Sequence, residues 1–405
     1  MRHRVLLTLL TVLAAALLGA ALPARAQEAV RPEIGRPLQA AQELIRAQRY
    51  KEALAKVREA EAAGPKGANE SFLIERMRIA AASGAGDVET AAKSFEAISA
   101  KISPAERLRM IESLAGGYYR ARDYNKAMQW GQRYFKEGGT SAAIRTLLIQ
   151  SQYLAGDFAG AARELTTEIS QAEKAGQAPG EDRLKLLVNA TLKMNDTNGY
   201  VWALERLVTH YPKKEYWVDL LARLQRKPSF SDRLALDIYR LSLATGSMSQ
   251  ANDYMEMAQL ALQAGLPGEA RQVVDKGFEA KVLGQGEQAE RHQRLADLVA
   301  KRLEEDKAAR AAAIAQARAA KDGTALVNLG MNLIFSGDKP QGLQLMQQGL
   351  AKGNLKRPDD AKLHYAVAQI LSGENGKVHT TLRSVGGNDG TADLARLWSL
   401  YARRR

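Results

Sequence analysis

Apolar residues recur along most of this chain at intervals of three and four, the spacing that gathers side chains on one face of an α-helix. Short polar turns separate these stretches. Behind the turns an aromatic or branched residue, with alanine three places on, returns as Tyr50/Ala53, Val88/Ala91, Tyr124/Ala127, Phe158/Ala161 and Tyr200/Ala203, at spacings of 38, 36, 34 and 42 residues. Self-similarity at such a period predicts stacked units, each too small to bury its own apolar face and each completed by its neighbour. Runs of Val, Ile and Thr at period two are absent, while Leu, Ala, Glu, Gln, Lys and Arg dominate. The predicted class is all-α.

One unit is spelled out by Leu114, Ala115, Tyr118, Asp123, Tyr124, Ala127 and Tyr134, and the next by Leu148, Ala155, Gly156, Asp157, Phe158, Ala161 and Leu165. On these residues the chain resembles the tetratricopeptide repeat (TPR), a 34-residue pair of antiparallel helices. Small residues let the paired helices approach, large ones fill the space between turns, and Gly-Asp before the aromatic supplies one helix's C-cap and the next one's N-cap. The resemblance implies a right-handed α-solenoid of antiparallel helix pairs, a TPR-like superhelix. The first unit reads Ala41, Leu44, Tyr50, Ala53, Val57, Ala60 and Pro65, with proline ending its second helix. Thr197, Asn198 and Gly199 read as a small insertion that lengthens the inter-helix turn of the fifth unit.

Further on the landmarks thin out. Trp217, Leu220, Leu221, Leu224, Leu234, Ile238 and Leu241 keep the helical period without the alanine, and Met257, Ala258, Ala261, Gly265, Ala270, Val274 and Phe278 restore it. From Glu287 to Lys321 the chain is Ala, Lys, Arg, Glu and Asp with few large apolar residues, which predicts a long solvated helix or helix pair. Leu329, Gly330, Leu333, Gly337, Asp338, Gly342, Leu345 and Met346, then Leu363, Ala366, Ile370, Gly373 and Leu382, resemble divergent TPR or Sel1-like units. Leu394, Leu397, Trp398 and Tyr401 predict an amphipathic end helix that covers the last unit. The expected organisation is a leader over 1–26, an N-terminal TPR solenoid over 32–285, a charged helical connector over 286–321, and divergent repeats with a capping helix over 322–405.

Charge and cysteine content narrow the setting. Arg2, His3 and Arg4 precede an apolar run from Val5 to Leu22, then Pro23 and the small-x-small triplet Ala24, Arg25, Ala26. This pattern predicts a secretory signal peptide cleaved after Ala26, hence a periplasmic protein without stable membrane insertion. Losing Arg2, Arg4 and Arg25 and no acid lowers the formal charge from +13 to +10. That balance suits anionic partners, and outside the cytoplasm nucleic acid is not expected among them. With no cysteine, neither disulfide nor thiolate chemistry is available.

Chemistry is otherwise sparse. No phosphate-binding glycine loop, HExxH or GxSxG occurs. His3, His210, His292, His364 and His379 are scattered with no second histidine one turn away, so no metal and no cofactor is expected. Ser336-Gly-Asp-Lys339 spells SxxK, a penicillin-binding nucleophile motif, yet it falls on a predicted inter-helix turn and lacks the companion SDN and KTG motifs. The sequons at Asn69, Asn189 and Asn195 read as chance. No enzymatic activity is expected.

The TPR resemblance implies a concave face lined by the first helix of each pair. Projected onto the three best units, its inward positions are Arg109, Glu112, Tyr119 and Arg120, then Thr146, Gln150 and Tyr153, then Lys185, Asn189 and Lys193. Tyr among Arg, Lys and amides suits an extended acidic or C-terminal peptide, the cations meeting carboxylates and tyrosine supplying rigid area. Tyr200, Trp202, Tyr211, Tyr216, Trp217, Phe230 and Tyr239 form an aromatic-rich middle that should be mostly core. The stretch Tyr211-Pro-Lys-Lys-Glu-Tyr-Trp-Val-Asp-Leu-Leu resembles exported TPR proteins that accompany TonB, ExbB and ExbD energy-transduction systems in Gram-negative bacteria. A protein-binding scaffold of the cell envelope is the expected function, with binding of an anionic envelope polymer or lipid as the rival and a glycan hydrolase on an α-superhelix behind it.

Overall fold

In a computed structural model that describes residues 30–403, the chain is all-α. The predicted leader, 1–26, lies outside the described residues. The helices fall into two compact units divided after Thr167, and no described helix is long and apolar enough to cross a membrane.

Unit 1 contains α1 (Pro32–Arg46), α2 (Tyr50–Ala62), α3 (Ala68–Ala85), α4 (Val88–Ile98), α5 (Pro104–Arg120), α6 (Tyr124–Lys136) and α7 (Ala142–Leu154), and the division falls within α8 (Phe158–Lys174). Each pair turns back through two or three residues, which makes its helices antiparallel and gives the unit an α-solenoid construction. The turns share one chemistry. A left-handed residue ends the first helix, at Gly86, Arg122 and Gly156, and the next N–H returns to the helix as a Schellman bond, Asp87 to Ala82 O at 2.9 Å, Asp123 to Tyr118 O at 3.0 Å and Asp157 to Gln152 O at 2.8 Å. The same aspartates then cap the second helix, accepting from Thr90 N, Lys126 N and Gly160 N. Four residues into each second helix sit Ala53, Ala91, Ala127 and Ala161, all with no exposed surface, where anything larger would push the pair apart. Phe95, fully buried, meets Trp130 edge-on at 5.5 Å, and Arg133 lies over both rings.

Unit 2 contains α9 (Glu181–Lys193), α10 (Thr197–His210), α11 (Lys214–Gln225), α12 (Ala235–Thr245), α13 (Ala251–Gln263), α14 (Pro267–Glu279), α15 (Ala289–Ala319), α16 (Thr324–Phe335), α17 (Lys339–Lys352), α18 (Pro358–Ser372), α19 (Val378–Arg383) and α20 (Thr391–Ala402). The predicted insertion at Thr197–Gly199 is corrected. The turn before α10 keeps three residues, Met194 to the N-cap Asp196, and Thr197, Asn198 and Gly199 form the first helical turn. Tyr200 and Ala203 therefore sit one turn deeper than their counterparts, which together with the longer α8 and the loop after it gives the 42-residue spacing.

In α16 and α17 glycine takes the alanine place. A Cβ on Gly330 would lie 2.6 Å from Gly342 O, one on Gly342 would lie 2.7 Å from Gly330 O, and one on Gly349 would lie 2.7 Å from Gly323 O, so these helices meet backbone to backbone. The charged stretch is one helix of 31 residues, α15. His292, Leu295, Val299 and Ala317 are its buried positions. It is fastened to α16, where Asn332 Nδ2 donates to Asp306 Oδ1 at 2.8 Å and Arg310 Nη2 donates to Ser336 Oγ at 3.3 Å.

The end helix does more than cap the last repeat. α20 packs on α18 and α19, and also on α10 and α12, from which it is separated by most of the unit. Contacts thus run from α12 through α14 and α16 to α18 and return to α12.

Candidate functional site

The first helices of the pairs carry the predicted binding positions. In unit 1, α5 presents Arg109 and Arg120 exposed with Glu112 and Tyr119 half-buried, and α7 presents Gln150 exposed with Thr146 and Tyr153 half-buried. Tyr119 and Gln150 are brought together, the phenol donating to Gln150 Oε1 at 3.1 Å across neighbouring helices. Tyr119 also meets Tyr124 edge-on at 5.7 Å, and Tyr153 meets Phe158 at 5.2 Å, so both rings are held against the following turn. Thr146 Oγ1 donates to Ala142 O, one turn back.

Charge on this face is mostly unpaired. Arg109 and Arg120 have no ion pair or hydrogen bond among the described residues, unlike Lys126, Arg107 and Arg133 of the same unit, which pair with Glu89, Glu137 and Glu96. Glu112 is the single acid among the predicted positions, and burial pushes its carboxyl above the usual range, which favours the neutral form. Burial raises the Tyr119 phenol as well, keeping it a hydrogen-bond donor.

In unit 2, α9 presents Lys185, Asn189 and Lys193, all exposed. Lys185 is not free. Its Nζ lies 3.4 Å from Glu181, which also accepts from Lys213 at 2.6 Å and from the Tyr216 phenol. Hydrogen bonds from Lys213 and Tyr216 hold the Glu181 carboxyl down to about 2. Lys193 and Asn189 have no such partner among the described residues. Beside them Leu192 and Met194 are 46% and 40% exposed, and at the end of α7 Leu154 is 49% exposed. The projection from sequence did not name these three, because leucine and methionine at helical spacing read as core.

The aromatic-rich middle corrects the expectation of a mostly buried cluster. Only Tyr200 and Trp217 are buried, and the other five are half-buried. Each of the other tyrosines satisfies its hydroxyl at the surface, Tyr211 on Pro179 O at 2.8 Å, Tyr216 on Glu181 and Tyr239 on Glu256 at 2.9 Å, and Trp202 lies under the Arg206 guanidinium. Amphipathic rings can bury their faces while leaving the polar tip wet, which periodicity alone does not resolve.

The remaining chemical candidates have structural partners. His210 ends α10 with Nε2 3.1 Å from Glu173, His292 Nδ1 accepts from Gly284 N at 3.0 Å, His364 faces Asp237 and His379 faces Ser399. Ser336 accepts from Arg310, while Lys339 turns away to donate to Leu371 O at 2.7 Å. The serine and lysine of that motif therefore do not meet. Among the described residues no group of three or more His, Asp or Glu is placed to hold a metal.

No protein-family description and no curated protein matches the chain. Solved structures to which it is similar include the TPR2AB domain:pHSP90 complex of yeast Sti1, at 11% identity over 74% of this chain and 99% of that one with a TM-score of 0.23. Naa15/Naa10 bound to HypK-THB is similar at 16% identity over 91% of this chain and 59% of that one, with a TM-score of 0.28. Yeast Tom70 is similar at 10% identity over 92% and 96%, with a TM-score of 0.23.

Proposed function

We propose that the chain is a non-catalytic periplasmic scaffold of a cell-envelope complex, holding partner proteins by extended acidic or C-terminal peptides on the concave TPR face. The observation that carries this reading is the unpaired charge. Arg109 and Arg120 on one unit, and Lys193 on the other, stand exposed without intramolecular partners on the first helices of their pairs, in the company of tyrosine and amide side chains. A guanidinium or ammonium left in this state is ready to take a carboxylate at little cost in broken contacts. Tyr119 and Tyr153, each braced by a second ring, add area without much entropy to lose.

Service to a TonB-type energy-transduction system is the finer proposal, and it rests only on the resemblance of residues 211–221. Within that stretch Trp217, Leu220 and Leu221 are buried, so packing already explains part of the pattern.

The test is affinity purification of the leaderless chain from the periplasm of its own organism, beside a variant carrying Tyr119→Ala, Tyr153→Ala and Lys193→Ala. Envelope proteins retained by the wild type and lost by a still-helical variant support the reading. Equal retention by both contradicts the site. Retention of glycan or lipid alone, abolished by salt, would replace it with the polyanion reading favoured by the +10 formal charge of the leaderless chain, +13 less Arg2, Arg4 and Arg25.

A further inference from the structure

Most neighbouring helices of unit 2 are also neighbours in sequence, but one junction is different. The C-terminal helices α18 and α20 meet residues 205–240, and a set of polar pairs crosses that junction. Ser231 N donates to Asp389 O at 2.9 Å. Arg233 Nη2 donates to Asp389 Oδ2 at 2.7 Å, Asp360 Oδ1 at 2.8 Å and Thr391 Oγ1 at 3.3 Å. Lys227 Nζ donates to Asp393 Oδ2 at 2.8 Å, Arg396 pairs with Glu205, and His364 Nε2 lies 3.0 Å from Asp237. The partners stand 127 to 166 residues apart for the Arg233, His364 and Lys227 contacts. Apolar contact closes it as well, for Gly390 lies so close to Phe230 and Leu234 that a Cβ would come 2.5 Å from the Phe230 ring and 3.3 Å from Leu234 Cδ1.

We propose that this junction is a seam at which unit 2 opens and closes, the C-terminal helices 358–402 moving together away from residues 205–240, with Arg233 as the latch. Three physical points converge. Apart from Asp237, the ion-paired groups are only partly buried, Lys227 and Asp389 being 37% and 38% exposed, so water can replace most of these contacts as they separate. Closing the seam ties together segments far apart in sequence, an entropic cost that the sequence-adjacent helix pairs do not carry. The C-terminal helices are also bound to one another, since α20 packs on α18 and α19 as well as across the seam. Sub-global opening follows weak contiguous boundaries, and partly exposed polar pairs that water can replace weaken this one. Arg233 is its centre because one guanidinium nitrogen serves an acceptor on α18, one on the loop before α20 and one on α20 itself.

The chain has no cysteine, so Ser229→Cys and Asn388→Cys, both at exposed positions flanking the seam, give a clean pair of spin labels. Pulsed electron-spin distance measurement on the full chain should show a single short distance at low salt. Arg233→Gln should raise the ratio of a longer population to the short one by about tenfold, the worth of hydrogen bonds to a charged group. Salt of about 1 M, where the screening length falls to roughly 3 Å, should shift the unmutated seam in the same direction. A second label pair within α13 and α14 should not move in either case. One unchanging distance under all conditions overturns the proposal, as does a shift that appears only together with loss of the α13–α14 distance. If Arg233→Gln fails to fold, the salt series on the unmutated seam decides.

Discussion

Unit 1 and unit 2 start from the same helix-pair pattern and are held together by different physics. In unit 1 the polar contacts recorded between side chains link helices that are next or nearly next in sequence, as Arg31 reaches Glu70 across 39 residues and Tyr119 reaches Gln150 across 31. Its interior is alanine against large apolar residues, with arginine laid over the aromatic rings. In unit 2 side-chain contacts span 166 residues between Lys227 and Asp393, and the Arg396–Glu205 pair reaches further still. Glycine replaces alanine where α16 meets α17, and a carboxylate–guanidinium chain, Asp237, Arg240 and Glu269, is almost fully buried. The buried chain itself links helices only 29 residues apart, and His364, 127 residues along, joins it at Asp237.

The sharpest way to break this comparison is Arg240→Ala. Arg240 donates to Glu269 at both nitrogens, each 2.7 Å, and to Asp237 at 2.7 Å. Its loss leaves two buried carboxylates uncompensated, at a cost of about 3–5 kcal/mol. Denaturant titration followed by hydrogen exchange should find the loss in α9–α20 and leave α1–α7 unchanged. Gly342→Ala comes next. It restores the residue type found at this place in unit 1, yet the added methyl has Gly330 O at 2.7 Å and Ile334 Cδ1 at 2.9 Å. Destabilisation of about 1–3 kcal/mol is expected from thermal melts, and an unchanged or higher melting point would mean that the two helices have room.

A smaller effect concerns pH and belongs to unit 1. Hydrogen bonds from the Arg31 side chain and backbone, and from Gly67 N, hold the Glu70 carboxyl down to about 2. Because the folded value lies below the unfolded one, the stabilisation is present above the ordinary carboxylate range near about 4.3 and is lost as pH falls through 2. Acid titration should loosen α1 first in that window, and Glu70→Gln should remove this step from the exchange profile. Tyr119→Phe should matter least to stability, within about 0.5 kcal/mol, since its bond to Gln150 is exposed. Partner retention is the property it should lower.

How far the sequence could be read follows the same division. The period, the buried alanines and the Gly-Asp turns of unit 1 are local features, fixed by residues within one helix pair, and periodicity finds them. The seam was out of reach because nothing local to Arg233 or Asp389 marks them as partners. The displaced turn at Thr197 was misread because the aromatic landmark was followed instead of the capping aspartate, Asp196, which sets where the helix begins. Of the candidate face, the positions on α5, α7 and α9 were nameable from the repeat. Which cations would be left unpaired was not, since pairing depends on neighbouring repeats, as it does for Lys185 and Glu181.

The most direct test of the central claim is side-chain footprinting of the chain bound to a captured partner, read against the free protein. The account predicts protection at Tyr119, Tyr153 and the exposed residues of α5, α7 and α9, with the surfaces of α15 and α17 unchanged. Protection confined to α15–α20, with Tyr119 and Tyr153 as reactive as in the free chain, would contradict it.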